Sequence, residues 1–583
     1  MSENETSVTN SQPSEGRPSR FPRKTLIWTL LVVSLLVAIH WSAFWLNENF
    51  NMDPAIPGIL TVLLGFITYV LWMVWAFFLG RRPLVGILIF LVPVLFFVFY
   101  MPNIKGDVNL AGFKPRFWAT PTNYVETVTE SSGVDLGSTE FDFNQFLGSN
   151  RNGIVDGIQL SEDWDSPPKV IWRQDVGEGW SGFVVVNGFA ITQEQRAADE
   201  CVTCYEVETG KLCWINRMPR RHEDTMAMGK VGPRATPTID DGLIYITSAV
   251  GYLECLDGRN GDLLWSVDIP KLVGIEQVSK TNSLGLDYTE ENSPLMWGRS
   301  CSPLILDDLV VVPAGGPLPS SQDGTSKPSV TLIAFDKKTG EEKWRGGKRM
   351  ISYGSPSIAT IAGKRQILLM AESHAVGHDA ETGEELWSHE RPGNTGQDAN
   401  CSQVTIVDEN HVIASKGYSL GGELIQVSHS DGKWATQSIH KDPRVLKTKL
   451  TSPVVYQGHA YSLSDGFLEC VEIESFRRKW KQRGRFGNGQ ILLVGDKLLV
   501  HAESGRNSFS ESNLYLVKAS PESYQELGKV KTIFGICWNT LCLYKDLLLI
   551  RSDREAICLK IPLIDSKDSN VKSELSTPGE SDQ

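Results

Sequence analysis

The sequence predicts an all-β fold, an eight-bladed β-propeller of four-stranded blades, preceded by three transmembrane helices. Three observations predict it: a hairpin motif that keeps returning, a Ser/Thr-Pro strand pair ahead of most copies, and three long apolar stretches near the N-terminus.

In chain order, the first 24 residues carry almost no apolar anchor and are expected to be a disordered tail. Apolar runs follow at 26–46, 59–79 and 84–100, the last interrupted by Pro93. A membrane-crossing helix needs about 20 apolar residues, with about 17 as a lower limit, so all three read as spans within a 25–101 anchor. His40, between two tryptophans of the first run, reads as part of an interfacial aromatic belt. Arg17, Arg20, Arg23 and Lys24 precede the first run, Arg81 and Arg82 separate the second from the third, and the loop between the first two has no Lys or Arg. Positive charge stays on the cytoplasmic side, which places the N-terminus in the cytoplasm and everything after Tyr100 outside it. Residues 102–168 read as a linker and 565–583 as a second disordered tail. The net charge of −13 disfavours nucleic acid as a partner.

The repeat is clearest in "CYEVETGKLCW" (204–214), "CLDGRNGDLLW" (255–265), "AFDKKTGEEKW" (334–344) and "GHDAETGEELW" (377–387). A small residue leads, an acid follows two places on, a glycine closes the turn, and a tryptophan comes four places later. Glycine supplies the positive φ of such a turn and the acid can accept from its backbone. The unit is a β-hairpin whose second strand buries a large aromatic: Trp214, Trp265, Trp344, Trp387 and, in "CVEIESFRRKW" (470–480), Trp480. That last copy has Phe476 in place of the glycine. The copy led by Gln426 has its tryptophan, Trp434, two places early, and weaker copies are led by Val517 and Cys558. Segments such as "ATPTIDDGLIYITSAV" (235–250) and "TSPVVYQGHAYSLSD" (451–465) supply two further strands per unit. Proline opening a strand costs no ladder bond. Four strands every 40–50 residues or so mean propeller blades. The last copy lacks its tryptophan-bearing strand, whereas "KVIWRQDV" (169–176) is such a strand with no partners before it. Joining them closes the ring over 169–564.

These repeats resemble the tryptophan-docking motif of the pyrroloquinoline-quinone (PQQ)-like β-propeller repeat superfamily. The phrases "FLGSNRNGIVDG", "VGEGWSGFVVVNGFAITQEQR" and "GPRATPTIDDG" look like its bacterial PQQ-binding-like and BamB-like subgroup. The resemblance implies either a non-enzymatic propeller of envelope protein assembly or a quinoprotein dehydrogenase that uses PQQ with calcium. The enzyme's adjacent Cys-Cys pair is missing, as is C-x-x-C-H for a c-type haem, and no long insertion builds a cofactor roof. The expectation is therefore a protein-binding or scaffolding module with no cofactor, on the periplasmic side of the bacterial inner membrane. Its partners are envelope proteins and, through the helices, the lipid bilayer. PQQ-dependent dehydrogenation is one alternative and an envelope sensor domain is another.

Propellers present blade-connecting loops around a central mouth. Repeat alignment places Trp180, Arg234, Arg299, Tyr353, Asn400, Lys449, Asn488 and Asn539 there, and the polar strand end "TQEQR" adds Gln193, Glu194 and Arg196. These are the candidate partner-binding residues; no catalytic residue and no metal site is expected. His374 and His378, four apart, read as surface or rim histidines. The C-x-x-C of Cys201 and Cys204 puts its thiols on opposite sheet faces, whereas a turn at 207–210 would set Cys204 opposite Cys213.

Overall fold

The computed structural model describes residues 55–74, 83–105, 109–115 and most of 133–564, with the single residues 34 and 128; inside the last range, 165–166, 225–230, 283, 318–328, 483–485 and 504–510 are excluded. Both expected tails and, apart from residue 34, the first apolar run lie outside the described residues. The chain divides into two units, 1–101 and 102–583.

In the first unit, helices run over Ala55–Val74 and Pro83–Phe99, the second containing Pro93. Neither sequence has a charged side chain. Leu63, Phe66, Leu71 and Leu84 are exposed. Among the described residues, no helix is long and apolar enough to cross a membrane.

The second unit is an eight-bladed propeller. Blades 1–7 span 184–218, 238–268, 304–346, 357–390, 405–442, 454–481 and 490–531, and blade 8 joins 542–560 to Lys169–Asp175. That closing strand pairs antiparallel with Glu555–Lys560, as the two half-copies require. Every blade carries a β-bulge at one equivalent place, directly after Cys204, Cys255, Ala334, Gly377, Leu424, Cys470, Leu516 and Cys558. These are the leading residues of the repeat, so two expected frames move: blade 5 is led by Leu424 rather than Gln426, and blade 7 by Leu516 rather than Val517. Blade 5 hid its frame because its outer hairpin, Gly421–Ser430 with Lys433–Asp442, is longer than the others.

The bulge turns the tryptophan toward the next blade. Glycine there lets the ring lie flat on the turn: a Cβ on Gly210, Gly261, Gly340 or Gly383 would stand 2.8 Å or less from Trp172, Trp214, Trp265 or Trp344. The indole N–H of Trp172 donates to Val207 O at 2.7 Å, that of Trp214 to Gly258 O at 3.1 Å and that of Trp480 to Ser520 O at 2.8 Å. Trp387 faces the long hairpin of blade 5, which offers no such turn, and donates instead to Gln366 Oε1 of its own blade at 2.6 Å.

The Ser/Thr-Pro pairs form a collar. The N–H of Gly182 donates to Thr236 Oγ1 at 3.2 Å, that of Thr236 to Ser302 Oγ at 2.9 Å, and that of Ser302 to Ser355 Oγ at 2.9 Å. The same bond joins Gln403 to Ser452 at 3.0 Å. Each hydroxyl thus satisfies the preceding blade's strand start, where the ladder has no partner.

Part of the expected linker, residues 139–160, is built into the ring. Phe143 exchanges backbone hydrogen bonds with Val185 of blade 1, and Asn144 O accepts from Ile239 of blade 2. Ile154–Val155 adds a parallel strand inside blade 7. Between them Arg151 is buried, donating to the carbonyls of Pro356 at 3.0 Å, Pro303 at 2.9 Å and Ser302 at 3.2 Å. Burial among neutral carbonyls pulls its pKa down to about 9. Residues 139–160 therefore close the channel at the face of the tight turns, and the loops that connect blades gather at the other face.

Candidate functional site at the loop face

At the loop face the expected mouth residues meet, but most are turned inward. Trp180 is buried, its N–H donating to Pro233 O at 2.7 Å, and it stacks on Trp538 at 4.6 Å. Arg299 is buried, donating to Ala314 O at 2.8 Å and, through two nitrogens, to the Glu291 carboxylate at 3.0 and 3.2 Å. Tyr353 is buried against Trp297, at 5.4 Å, and its hydroxyl accepts from the Trp297 N–H. Asn400 donates to Ala371 O and Glu372 O, both at 2.8 Å, and Asn539 to Ser181 O at 3.2 Å. Lys449 is buried with its ammonium 5.1 Å from the Tyr418 ring. Arg234 and Asn488 keep partial exposure. Arg234 donates to Gly232 O at 2.6 Å; burial lowers its pKa to about 10, and Asp224 opposes that shift.

Gln193, Glu194 and Arg196 require a correction: all three are buried rather than part of a solvated strand end. Glu194 accepts from Arg196 Nε at 2.9 Å, Tyr205 OH at 2.7 Å, Thr203 Oγ1 at 2.8 Å and the Gly177 N–H at 2.7 Å. Gln193 donates to Ala235 O at 2.7 Å. From blade 8, Arg551 donates to Thr192 Oγ1, Gln193 O and Gly177 O at 2.7, 3.1 and 3.0 Å. The cluster clamps blade 8 to blade 1 at the closing seam. Burial alone would raise the Glu194 pKa, but Arg196, Arg551 and the hydrogen bonds outweigh it and hold the carboxyl below its ordinary value.

His378 is also buried rather than on a rim, its Nδ1 2.8 Å from Gly383 O, while His374 keeps partial exposure. Cys204 stands opposite Trp214, and Cys213 is the extra residue of the bulge. Burial, then a hydrogen bond with Cys213, pushes the Cys204 thiol well up.

Sequence reasoning missed two features of this face. One is polar: Gln193 Oε1, Asn400 Oδ1, Asn539 Oδ1 and Trp538 Nε1 are buried with no hydrogen-bond partner among the described residues. The other is apolar. The long interval after blade 2 folds into a helix, Ile269–Val273, and a hairpin of Gln277–Thr281 with Asp287–Glu291. The hairpin rests on the neighbouring loop, with Thr289 N–H donating to Arg221 O at 2.8 Å and Asn282 Nδ2 to Glu223 Oε2 at 2.8 Å. It leaves Val278 and Leu284 53% and 78% exposed. Apolar alternation on a polar hairpin was the available signal.

A family model described as outer membrane protein assembly factor BamB matches residues 166–283 and 198–482. A quinohemoprotein alcohol dehydrogenase of Comamonas testosteroni is 25% identical over 165 residues, covering 27% of this chain and 19% of that protein. The chain thus aligns with about a fifth of the length of that relative. Among solved structures, a quinohemoprotein alcohol dehydrogenase of Pseudomonas putida superposes with a TM-score of 0.50 at 10% identity, over 76% of this chain and 82% of that one. BamB of Moraxella catarrhalis gives a TM-score of 0.42 at 13% identity, over 68% of this chain and all of its own, 100%. At 10% identity the Pseudomonas putida superposition carries the fold alone.

Proposed function

The chain belongs to the PQQ-like β-propeller family whose model is described as outer membrane protein assembly factor BamB, and we propose that its propeller is a protein-binding scaffold of the cell envelope. The observation that carries this reading is the insertion after blade 2, which holds Val278 and Leu284 out at the loop face. Large apolar side chains displayed on an ordered arm mark a protein-docking surface more than a solvated loop. Arg234, partly exposed at the same face, supplies a polar contact.

PQQ with calcium fits these residues poorly. The amide nitrogens of Asn400 and Asn539 are spent on backbone carbonyls, Trp180 is covered by Trp538, and Arg151 fills the channel from the other side. No group of three His, Cys, Asp or Glu side chains among the described residues is placed to hold a cation.

The membrane anchor belongs to the same proposal: the apolar run at 26–46 and the helices Ala55–Val74 and Pro83–Phe99 hold the propeller at the outer side of the inner membrane. Their exposed Leu63, Phe66 and Leu84 support it. Affinity purification of the full chain from native membranes tests the scaffold. Val278→Glu with Leu284→Glu is expected to cut co-purified envelope protein at least tenfold, and Arg234→Glu to weaken it further. Undiminished recovery overturns the reading. So does stoichiometric binding of PQQ and calcium coupled to dye reduction.

A further inference from the structure

The outer strand of each of the eight blades is terminal in its sheet, and such edges are normally blunted by charge. The other outer strands conform: Glu342–Gly346, Glu385–Glu390, Arg477–Lys481, Glu526–Lys531 and Lys169–Asp175 carry two or more charged residues each, Lys433–Asp442 likewise, and Leu212–Met218 carries Arg217. Blade 2 does not. Its outer strand, Leu263–Asp268, reads LLWSVD, with no charge before its last residue. It is terminal in its sheet. Leu263 and Leu264 are 47% and 51% exposed.

We propose that this edge pairs two copies of the chain, through antiparallel addition of the strand to its own twin about a two-fold axis. A perpendicular two-fold requires the register to centre on one residue. Centring on Trp265 would set Asp262 opposite Asp268 and repel. Centring on Ser266 sets Trp265 opposite Val267 and Leu264 opposite Asp268, with no like charges facing. The same register brings the short helix Ile269–Val273 of one copy beside the strand start of the other. In that register Leu263 faces Ile269 and Asp262 faces Pro270, the first residues of the helix, at both ends of the pair. The bulge at Leu264 bends the start of the strand, so the continuous free ladder is residues 265–268. Blade 3 could not self-pair this way: the equivalent of Ser266 is Arg345, so the same register would set two arginines face to face.

Mass measurement by light scattering on the purified full chain is expected to give about twice 64.7 kDa. Leu264→Glu, which sets a second carboxylate opposite Asp268 at both ends of the pair and, at a half-exposed position, leaves the fold intact by circular dichroism, is expected to raise the dimer dissociation constant at least tenfold. Ser266→Cys is expected to form an intermolecular disulfide under mild oxidation, because opposed Cβ atoms stand about 4.5–5.5 Å apart. Leu264→Cys is expected to form none, because its twin lies four residues along the strand, roughly 13 Å away. A monomer at every concentration, a Leu264→Glu dimer of undiminished affinity, or equal cross-linking of the two cysteine variants would each overturn the proposal. All three read association between copies, so they stand or fall independently of partner capture at the loop face.

Discussion

Blades 8, 1, 2 and 3, on one side, and blades 5 and 7, on the other, solve one packing problem with different residues. At the regular junctions a tryptophan lies on a glycine turn of the next blade. Blade 5 has neither feature at its junction with blade 6. His440 takes the tryptophan's place, opposite Leu424, and stacks on Phe476, which stands where the glycine would be, with ring centroids 6.0 Å apart. The His440 Nε2 lies 2.9 Å from Glu474 O, in the role of the indole nitrogen. Phe476 pays for its ring with φ at +54°. Blade 7 has Gly528 opposite Leu516, and Trp164 from the channel segment covers it: a Cβ there would sit 2.5 Å from that ring. The junction thus demands a flat group rather than a particular residue, and an acceptor carbonyl is met at some junctions only: the Trp164 and Trp344 indole nitrogens have no partner among the described residues. A missing group can be supplied from a distant part of the chain.

The comparison can be broken at several points. Trp214→Ala should cost about 3–5 kcal/mol in chemical denaturation, as for a buried aromatic leaving a cavity. Trp164→Ala should cost nearly as much, about 3 kcal/mol, if the channel segment truly supplies the missing dock; a loss within about half a kcal/mol would make it a loose strap. Glu194→Gln at the closing seam should cost about 3 kcal/mol by stranding buried Arg196 and Arg551. Since folding lowers the Glu194 pKa from 4.5, its contribution is present above that pH and is lost as pH falls through the folded value. The wild type should therefore lose more stability on acidification than the Gln variant, which denaturant titrations at pH 7 and pH 3 would measure. His440→Ala should cost only about 0.5–1.5 kcal/mol, the scale of an aromatic pair.

Blade number, blade order and closure by the strand at 169–175 were legible because the repeat is short-range: each motif's turn, bulge and aromatic are set within about a dozen residues. The frames of blades 5 and 7 were misread where that local pattern was replaced by contacts across a junction. The candidate site was legible in position and not in exposure. Trp180, Arg299, Asn400 and Asn539 do sit at the loop face, but whether a polar side chain there meets solvent depends on the neighbouring blade. Backbone carbonyls from adjoining loops captured them first. Gln193, Glu194 and Arg196 looked like a solvated strand end because their counterpart, Arg551, is more than 350 residues away in the chain.

By itself the sequence determined the all-β class, the eight repeats and the register of most outer hairpins, since periodicity and turn chemistry act between near neighbours. The tertiary structure alone decided the rest. It turned an apparent linker into a channel plug held by Arg151, made one polar strand end a buried clamp, and lent Trp164 to a junction that lacked a tryptophan. The physical reason is common to all three: burying a charge, an amide or a ring is favourable only where distant residues complete its contacts, and no local pattern records where those residues will be.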